Sequence, residues 1–264
     1  MFPTWAFTNA SVIGTSHQRR GEVCQDSSLV VAPRGCAQHL GNPIIAAVAD
    51  GAGTARYAAD GSSTAIRVLK EEICRMLTSP SVVLTESGLK SAVLKAANHV
   101  DGLALQRGHS SREYASTLIC VVLMKDHAWH IQIGDGAAVF GYGENRMVSY
   151  WPAKGEYGNE TFFITDENFL QQLHIQRLEQ LPDDVTLFTD GLEGIALNIA
   201  KQEAHLPFYD SFYRVLSQRE AGYQIDLENH LKGWLQSDLV NSRTDDDKSL
   251  VLISRTRPSQ LSIS

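Results

Sequence analysis

Apolar runs of strand length and segments of helical periodicity follow one another in blocks along the chain. Residues 5–13 and 28–32 have β character. Residues 43–49 form a short apolar run that closes on Asp50-Gly51, the pattern of a buried strand meeting a turn. The stretch 55–77 changes period: Ile66, Leu69, Ile73 and Leu77 fall on one helical face. Gly61 inside it lowers helix propensity and marks close packing. A second amphipathic helix is predicted over 89–105, with Leu89, Val93, Ala96, Ala97, Val100 and Leu103 on one side. Strands are then predicted over 116–124, 128–133, 137–142 and 147–151, and the short turns between them predict antiparallel neighbours. Residues 173–178 and 184–189 are predicted to pair with each other, 208–216 and 227–235 to be helices, and 249–254 to be a final strand. Strand runs and helices in separate blocks argue for an α+β fold with antiparallel sheets rather than a βαβ series. Two sheets with helices outside suit that order.

The composition fits this picture and narrows it. The chain has 264 residues, 43% hydrophobic and 20% charged, with a mean hydropathy of −0.16, as in a folded globular protein. With no repeat, low-complexity tract or Pro/Gly/Ser-rich linker, one domain over residues 1–257 is expected, followed by a flexible tail over 258–264. The net charge of −7 argues against a nucleic-acid binder working through a broad basic face, though not against a phosphate-bearing substrate at a local metal site. The longest apolar runs, 44–49 and 118–124, are far below the roughly 20 residues of a membrane span. The first residues lack the basic region and apolar core of a signal peptide. Cys24, Cys36, Cys74 and Cys120 form no CxxC pair and read as reduced thiols, so a cytoplasmic location is expected. The sequons at Asn9 and Asn159 then carry no meaning.

Four acidic residues share one local grammar. Asp50 follows IIAAVA, Asp135 follows HIQIG, Asp190 follows VTLFT, and Asp246 lies just before KSLVLI. Each stands at the end of an apolar strand, and the first three precede a glycine. A strand end is rigid and aims its side chain, while a following glycine lets the backbone turn and a ligand approach. A lone Asp-Gly is an ordinary turn dipeptide; the repetition after apolar strands is what points to a site. Converging carboxylates repel unless cations lie between them. Oxygen ligands favour Mg²⁺ or Mn²⁺ over zinc, and two such ions about 3.5–4 Å apart can polarise a phosphoryl group and deprotonate a bridging water.

With these residues in place, the sequence resembles the PPM/PP2C family of metal-dependent serine/threonine protein phosphatases. It looks most like a bacterial branch with the N-terminal signature Gly14-Thr15-Ser16-His17…Gly21…Cys24-Gln25-Asp26. The other signatures appear in order: Asp50–Gly53, Ala115-Ser116-Thr117, Gly134-Asp135, Thr189-Asp190-Gly191 and Asp246-Asp247-Lys248-Ser249. The resemblance spans residues 11–254 and implies a PP2C-like four-layer sandwich, two central antiparallel β-sheets flanked by α-helices. It further implies that Asp50 bridges two Mn²⁺ or Mg²⁺ ions with the Gly51 carbonyl as a further ligand. Asp190 and Asp246 would complete the site of one ion, and Asp135 would hold a third, weaker one. Gln25 stands where the family usually has a Glu contacting the second ion, and Asp26 would orient metal-bound water. The implied reaction is direct hydrolysis of phosphoserine and phosphothreonine in proteins by a metal-bridging hydroxide. No protein nucleophile is needed, in keeping with the lack of a G-x-S-x-G motif or a P-loop.

Two positions depart from the family. Gly21 stands where many members carry the Arg that holds the substrate phosphate; His17, Arg19 or Arg20 are candidates to replace it, Arg being the best suited through bidentate contact. Ala52 stands where the eukaryotic branch has the His that protonates the leaving group, so that proton would come from metal-bound water or a residue such as His17. The segment 154–161 resembles one in the bacterial branch and reads either as a loop governing which phosphoprotein enters or as an ordinary surface loop. The remaining histidines form no metal-spacing cluster. The expected partners are phosphorylated protein substrates, with an opposing Ser/Thr kinase, no nucleic acid and no membrane, for a monomeric enzyme. The competing readings are a weakly active or inactive phosphoprotein-binding regulatory module and another two-metal hydrolase, such as a phosphodiesterase or nuclease. The first is disfavoured by retention of all four metal-site aspartates, the second by the missing basic groove.

Overall fold

A computed structural model describes residues 2–79, 83–151 and 161–256. The expected tail at 258–264, and the segment 154–161 apart from Thr161, lie outside the described residues. The strands are β1 (Trp5–Val12), β2 (Ser27–Val31), β3 (Ile44–Ala49), β4 (Leu118–Leu123), β5 (Ala128–Ile133), β6 (Ala137–Tyr142), β7 (Asn145–Val148), β8 (His174–Leu178), β9 (Asp184–Phe188), β10 (Leu197–Asn198), β11 (Glu203–Ala204), β12 (Gly222–Tyr223) and β13 (Lys248–Arg255). The helices are α1 (Thr15–Arg20), α2 (Ala58–Thr78), α3 (Glu86–Gln106), α4 (Phe169–Gln172), α5 (Glu193–Ala196), α6 (Leu206–Leu216), α7 (Ile225–Leu235) and α8 (Asp238–Asn241).

The alternation of side chains along the strands builds the layers. In β3, Ile44, Ala46 and Val48 face a core between the two large sheets, while Ile45, Ala47 and Ala49 face α2 and α3. β4 divides in the same way: Ile119, Val121 and Leu123 point inward and Leu118, Cys120 and Val122 outward. On the other sheet, Val251 and Ile253 of β13 join the inter-sheet core and Leu250 and Leu252 meet α6 and α7. Strands buried on both faces must be apolar at every position, which is why they read as unbroken runs. The result is helices, sheet, sheet, helices: the α+β four-layer sandwich that the sequence implies.

The five-stranded sheet has the order β2-β3-β4-β5-β8 and the six-stranded sheet the order β12-β1-β13-β9-β6-β7; β10 and β11 form a small separate hairpin. All pairs are antiparallel except β1 with β12. Two expectations fail here. Residues 173–178 and 184–189 do not pair, because β8 closes the edge of one sheet on β5 while β9 sits in the other between β13 and β6. Likewise β5 and β6 are not neighbours, since the turn at Gly134-Asp135-Gly136 carries the chain from one sheet to the other. β9, buried on both faces, carries no polar face to specify its partner, and β8 is a half-exposed edge strand, so sequence proximity misleads.

Gly61 has the packing role its position suggests. A Cβ there would lie 2.0 Å from the Tyr114 carbonyl oxygen, so α2 presses directly on the short 3₁₀ turn at Ser111–Tyr114. Gly61→Ala is expected to destabilise the protein by about 1–3 kcal/mol through overpacking, despite alanine's better helix propensity. Denaturant melts of the two proteins test this; an equal or higher midpoint for the variant would contradict the contact.

Candidate metal centre

The strand-end aspartates arrive at one end of the sandwich from both sheets. Asp50 and Asp135 follow β3 and β5, Asp190 follows β9, and Asp246 precedes β13. One carboxylate oxygen each of Asp50, Asp135 and Asp190 lies within 4.8 Å of the others. Asp26, just before β2, is buried beside Asp50, and Asp246 stands near enough for its charge to act on Asp50 and Asp190.

Local hydrogen bonds hold each acid in place. The Asp50 N–H donates to Thr117 Oγ1 at 2.9 Å and the Thr117 N–H donates to the Asp50 carbonyl at 2.8 Å, so the Ala115-Ser116-Thr117 motif fastens the Asp50 backbone. Thr189 Oγ1 donates to Asp26 Oδ2 at 2.6 Å and accepts from the Ser249 N–H at 3.0 Å. Asp135 Oδ2 accepts from Thr161 Oγ1 at 2.5 Å.

Asp247 organises the far side of the site. Its Oδ1 accepts the Gly14 N–H and its Oδ2 the Gln25 N–H, each at 2.6 Å. His17 Nδ1 lies 2.9 Å from the same Oδ1, at ion-pair distance but off the line of a hydrogen bond. The Ser16 N–H donates to the Asp245 carbonyl at 2.8 Å. The acidic segment is pressed between two glycines: a Cβ on Gly14 would lie 2.2 Å from the Asp246 carbonyl carbon, and one on Gly191 would lie 2.0 Å from the Asp247 oxygen. Lys248, fully buried, donates to Asn241 Oδ1 at 3.0 Å; burial pushes its ammonium down while Asp247, Asp246 and Asp26 hold it up.

The carboxylates strain against one another. Burial, chiefly, pushes Asp26 up to about 7, with the hydrogen bond from Thr189 opposing the rise. Burial and then the charges of Asp135, Asp246 and Asp26 push Asp190 up to about 8. Asp50 is raised well above the usual carboxylate range by burial and by Asp26 and Asp190. Gln25 Oε1, Asp26 Oδ1 and Asp135 Oδ1 are buried without a hydrogen-bond partner. Crowded oxygen donors, several orphaned, with Asp26, Asp50 and Asp190 disfavoured as anions, fit a hard divalent cation.

His17, Arg19 and Arg20 fall on the short helix α1. His17 is buried, with Nδ1 against Asp247 and Nε2 3.6 Å from Glu22. Arg20 is exposed and bound to Glu22 at 2.8 Å. Arg19 is exposed and, among the described residues, its guanidinium reaches Thr15 Oγ1, at 3.4 Å. Gly21 caps α1 at φ 69°, a left-handed conformation suited to glycine, so the residue that stands in place of the family's arginine is the one that ends this helix. Ala52 is buried with its N–H on the Ala115 carbonyl. Sequence reasoning gave no individual role to Thr117, Thr189, Thr161 or Asp247; the doubled acid before an apolar strand was the one available signal, for Asp247.

Comparison with known proteins places the chain in a family. A family model for protein phosphatase 2C matches residues 13–236. Serine/threonine-protein phosphatase 3 of Escherichia coli (strain K12) is 30% identical over 250 residues, covering 94% of this chain and 98% of its own. Among solved structures, PppA, a regulatory component of T6SS in Pseudomonas aeruginosa, is 19% identical over 96% of this chain and 99% of its own, with a TM-score of 0.64. The catalytic domain of the serine threonine protein phosphatase PstP, solved with 2 manganese ions, is 12% identical over 97% of this chain and 100% of its own, with a TM-score of 0.63. The chain belongs to the protein phosphatase 2C family. It is therefore a protein phosphatase, and the family implies metal dependence. Among the described residues no helix is long and apolar enough to cross a membrane.

The raised carboxylates predict a pH dependence. An unfolded chain releases these protons near pH 4, whereas native Asp26 and Asp190 keep theirs to about 7 and about 8. Between those limits the native state binds more protons than the unfolded state, so the stability of metal-free protein falls as pH rises from about 4 to about 8. Mn²⁺ should offset the loss, most strongly at the upper end. Thermal melts from pH 5 to 8 in chelator and in Mn²⁺ check this; a chelator profile that stays flat or rises would contradict it.

Proposed function

We propose that the chain hydrolyses phosphoserine and phosphothreonine in proteins, opposing a Ser/Thr kinase, with Mn²⁺ or Mg²⁺ held by the strand-end carboxylates. The observation that carries this reading is the meeting of Asp50, Asp135 and Asp190 within 4.8 Å, beside buried, unpaired oxygens on Gln25, Asp26 and Asp135. Asp50, Asp190 and Asp246 would hold the tighter ions, with the Gly51 carbonyl and the Gln25 amide oxygen as neutral ligands and Asp135 for a weaker ion. Bound there, two such ions supply a water nucleophile at near-neutral pH and polarise the phosphoryl group.

The chain's own groups do the rest. Asp26, fixed through Oδ2 by Thr189, leaves Oδ1 free to orient the attacking water and accept its proton. The buried pairing of His17 with Asp247 favours a positioning role for His17 over leaving-group protonation or phosphate contact. Arg20 is engaged by Glu22, so Arg19 is the freer phosphate candidate on α1.

Hydrolysis of p-nitrophenyl phosphate across a Mn²⁺ titration tests the reading. Wild type should gain activity with metal, and Asp50→Asn should lose it by at least about 100-fold while staying folded, since it removes a ligand rather than an outer-shell contact. Arg19→Ala should raise KM with little change in kcat. Wild-type turnover in Asp50→Asn would contradict the assigned centre.

A further inference from the structure

A groove of about 830 Å³ opens beside the candidate metal centre. Its floor is the α3 face that carries Leu94, Ala97 and Asp101; its walls are the 3₁₀ turn with Arg112 and the segment 161–169. This second wall is anchored on the site itself. Thr161 donates to Asp135, the Ile164 N–H donates to the Ser116 carbonyl at 3.0 Å, and Phe163 packs on Ala52, Ala55, Ala58 and Ala115 around the Asp50 loop. The wall that bounds the groove is therefore fastened to the residues around the carboxylate cluster. The groove's volume is that of a real binding cleft, and its lining mixes apolar with polar groups.

The charges select the occupant. The charged residues in the groove lining are Asp101, Asp166, Glu167 and Arg112, three carboxylates and one guanidinium. Asp166 is committed to the wall, since its Oδ2 accepts the Phe163 N–H at 2.8 Å. Asp101 and Glu167 are exposed and have no side-chain partner among the described residues; neither does the Arg112 guanidinium. The whole chain carries a net charge of −7, which also steers cationic segments towards it.

We infer that this groove docks the polypeptide flanking the phosphorylated residue and prefers a flank carrying Lys or Arg, which Asp101 and Glu167 recognise. The inference rests on the phosphatase reading and names the substrate class of that same site. Arg112, three residues before the Ala115 that meets the Asp50 loop, opposes a basic residue at its own position and so helps set the register of the flank.

Two phosphoserine peptides test this, identical except for Lys or Ala in the flank, assayed with Mn²⁺ beside p-nitrophenyl phosphate. Wild type should favour the Lys peptide by about three- to tenfold in kcat/KM, mainly through KM, the scale expected of one or two exposed ion pairs. Added salt should shrink that preference. The double variant Asp101→Asn, Glu167→Gln should lose it and leave p-nitrophenyl phosphate turnover unchanged. Equal use of the two peptides by wild type, a preference that survives in the double variant, or an equal loss on the small substrate would each overturn the groove assignment. Wild type inert on p-nitrophenyl phosphate and on both peptides would instead sink the phosphatase reading beneath it.

Discussion

The Asp247 carboxylate is the constraint on which the rest of the site depends. It takes the Gly14 and Gln25 N–H groups and the ring of His17, and so ties the start of the chain to the start of its last strand. The groups joined lie more than two hundred residues apart in sequence. Everything that must be placed near the metal on that side hangs from this junction: Gln25 and Asp26 follow one donor directly, and Asp246 precedes the acceptor. A buried carboxylate with two backbone donors is a strong acceptor, and removal of a partner would leave a buried charge unmatched. The close contacts at Gly14 and Gly191 leave the acidic segment no room to shift.

Electrostatics then set the character of the site. Two sheets deliver carboxylates to one end of a sandwich whose interior is apolar, and burial first, then their mutual charge, raises three of them. Lys248 offsets part of the charge but faces Asn241 rather than the cluster. A protein that needed only stability would not gather these groups. A cation between them turns repulsion into ligation, so the cost carried by the metal-free fold is the affinity available to the metal-bound one. The groove beside α3 extends that logic outwards: acids at the centre for metal, and acids along the approach for a basic substrate segment.

Much of this was legible in the sequence, for identifiable reasons. Asp50, Asp135 and Asp190 stand out because apolar runs end on them, and Asp246 because one begins just after it; runs apolar on both faces imply covered sheets. Strand partners were less legible: β9 is buried on both faces and carries nothing that tells which sheet it joins, and β8 is a short, half-exposed edge strand whose partner is set by tertiary structure. Helix α1 was hidden because Thr15–Arg20 is six residues long, too short for a periodicity to show. Asp247 looked like one more acid beside Asp246, since its three partners come from the other end of the chain. Its separation from Asp246 in role is a fact of tertiary structure. Arg19 and Arg20 looked equivalent until Glu22 was seen to engage one of them.

The most direct test of the account is a calorimetric Mn²⁺ titration of wild type beside Asp247→Asn, with folding of both checked by circular dichroism. Asparagine keeps the shape but presents an amide where one of two backbone donors needs an acceptor. Wild type should bind Mn²⁺ at the carboxylate cluster, and the folded variant should bind at least about tenfold more weakly, as for loss of an outer-shell partner. Equal affinity and stoichiometry in a folded Asp247→Asn would contradict the claim that this junction builds the metal centre.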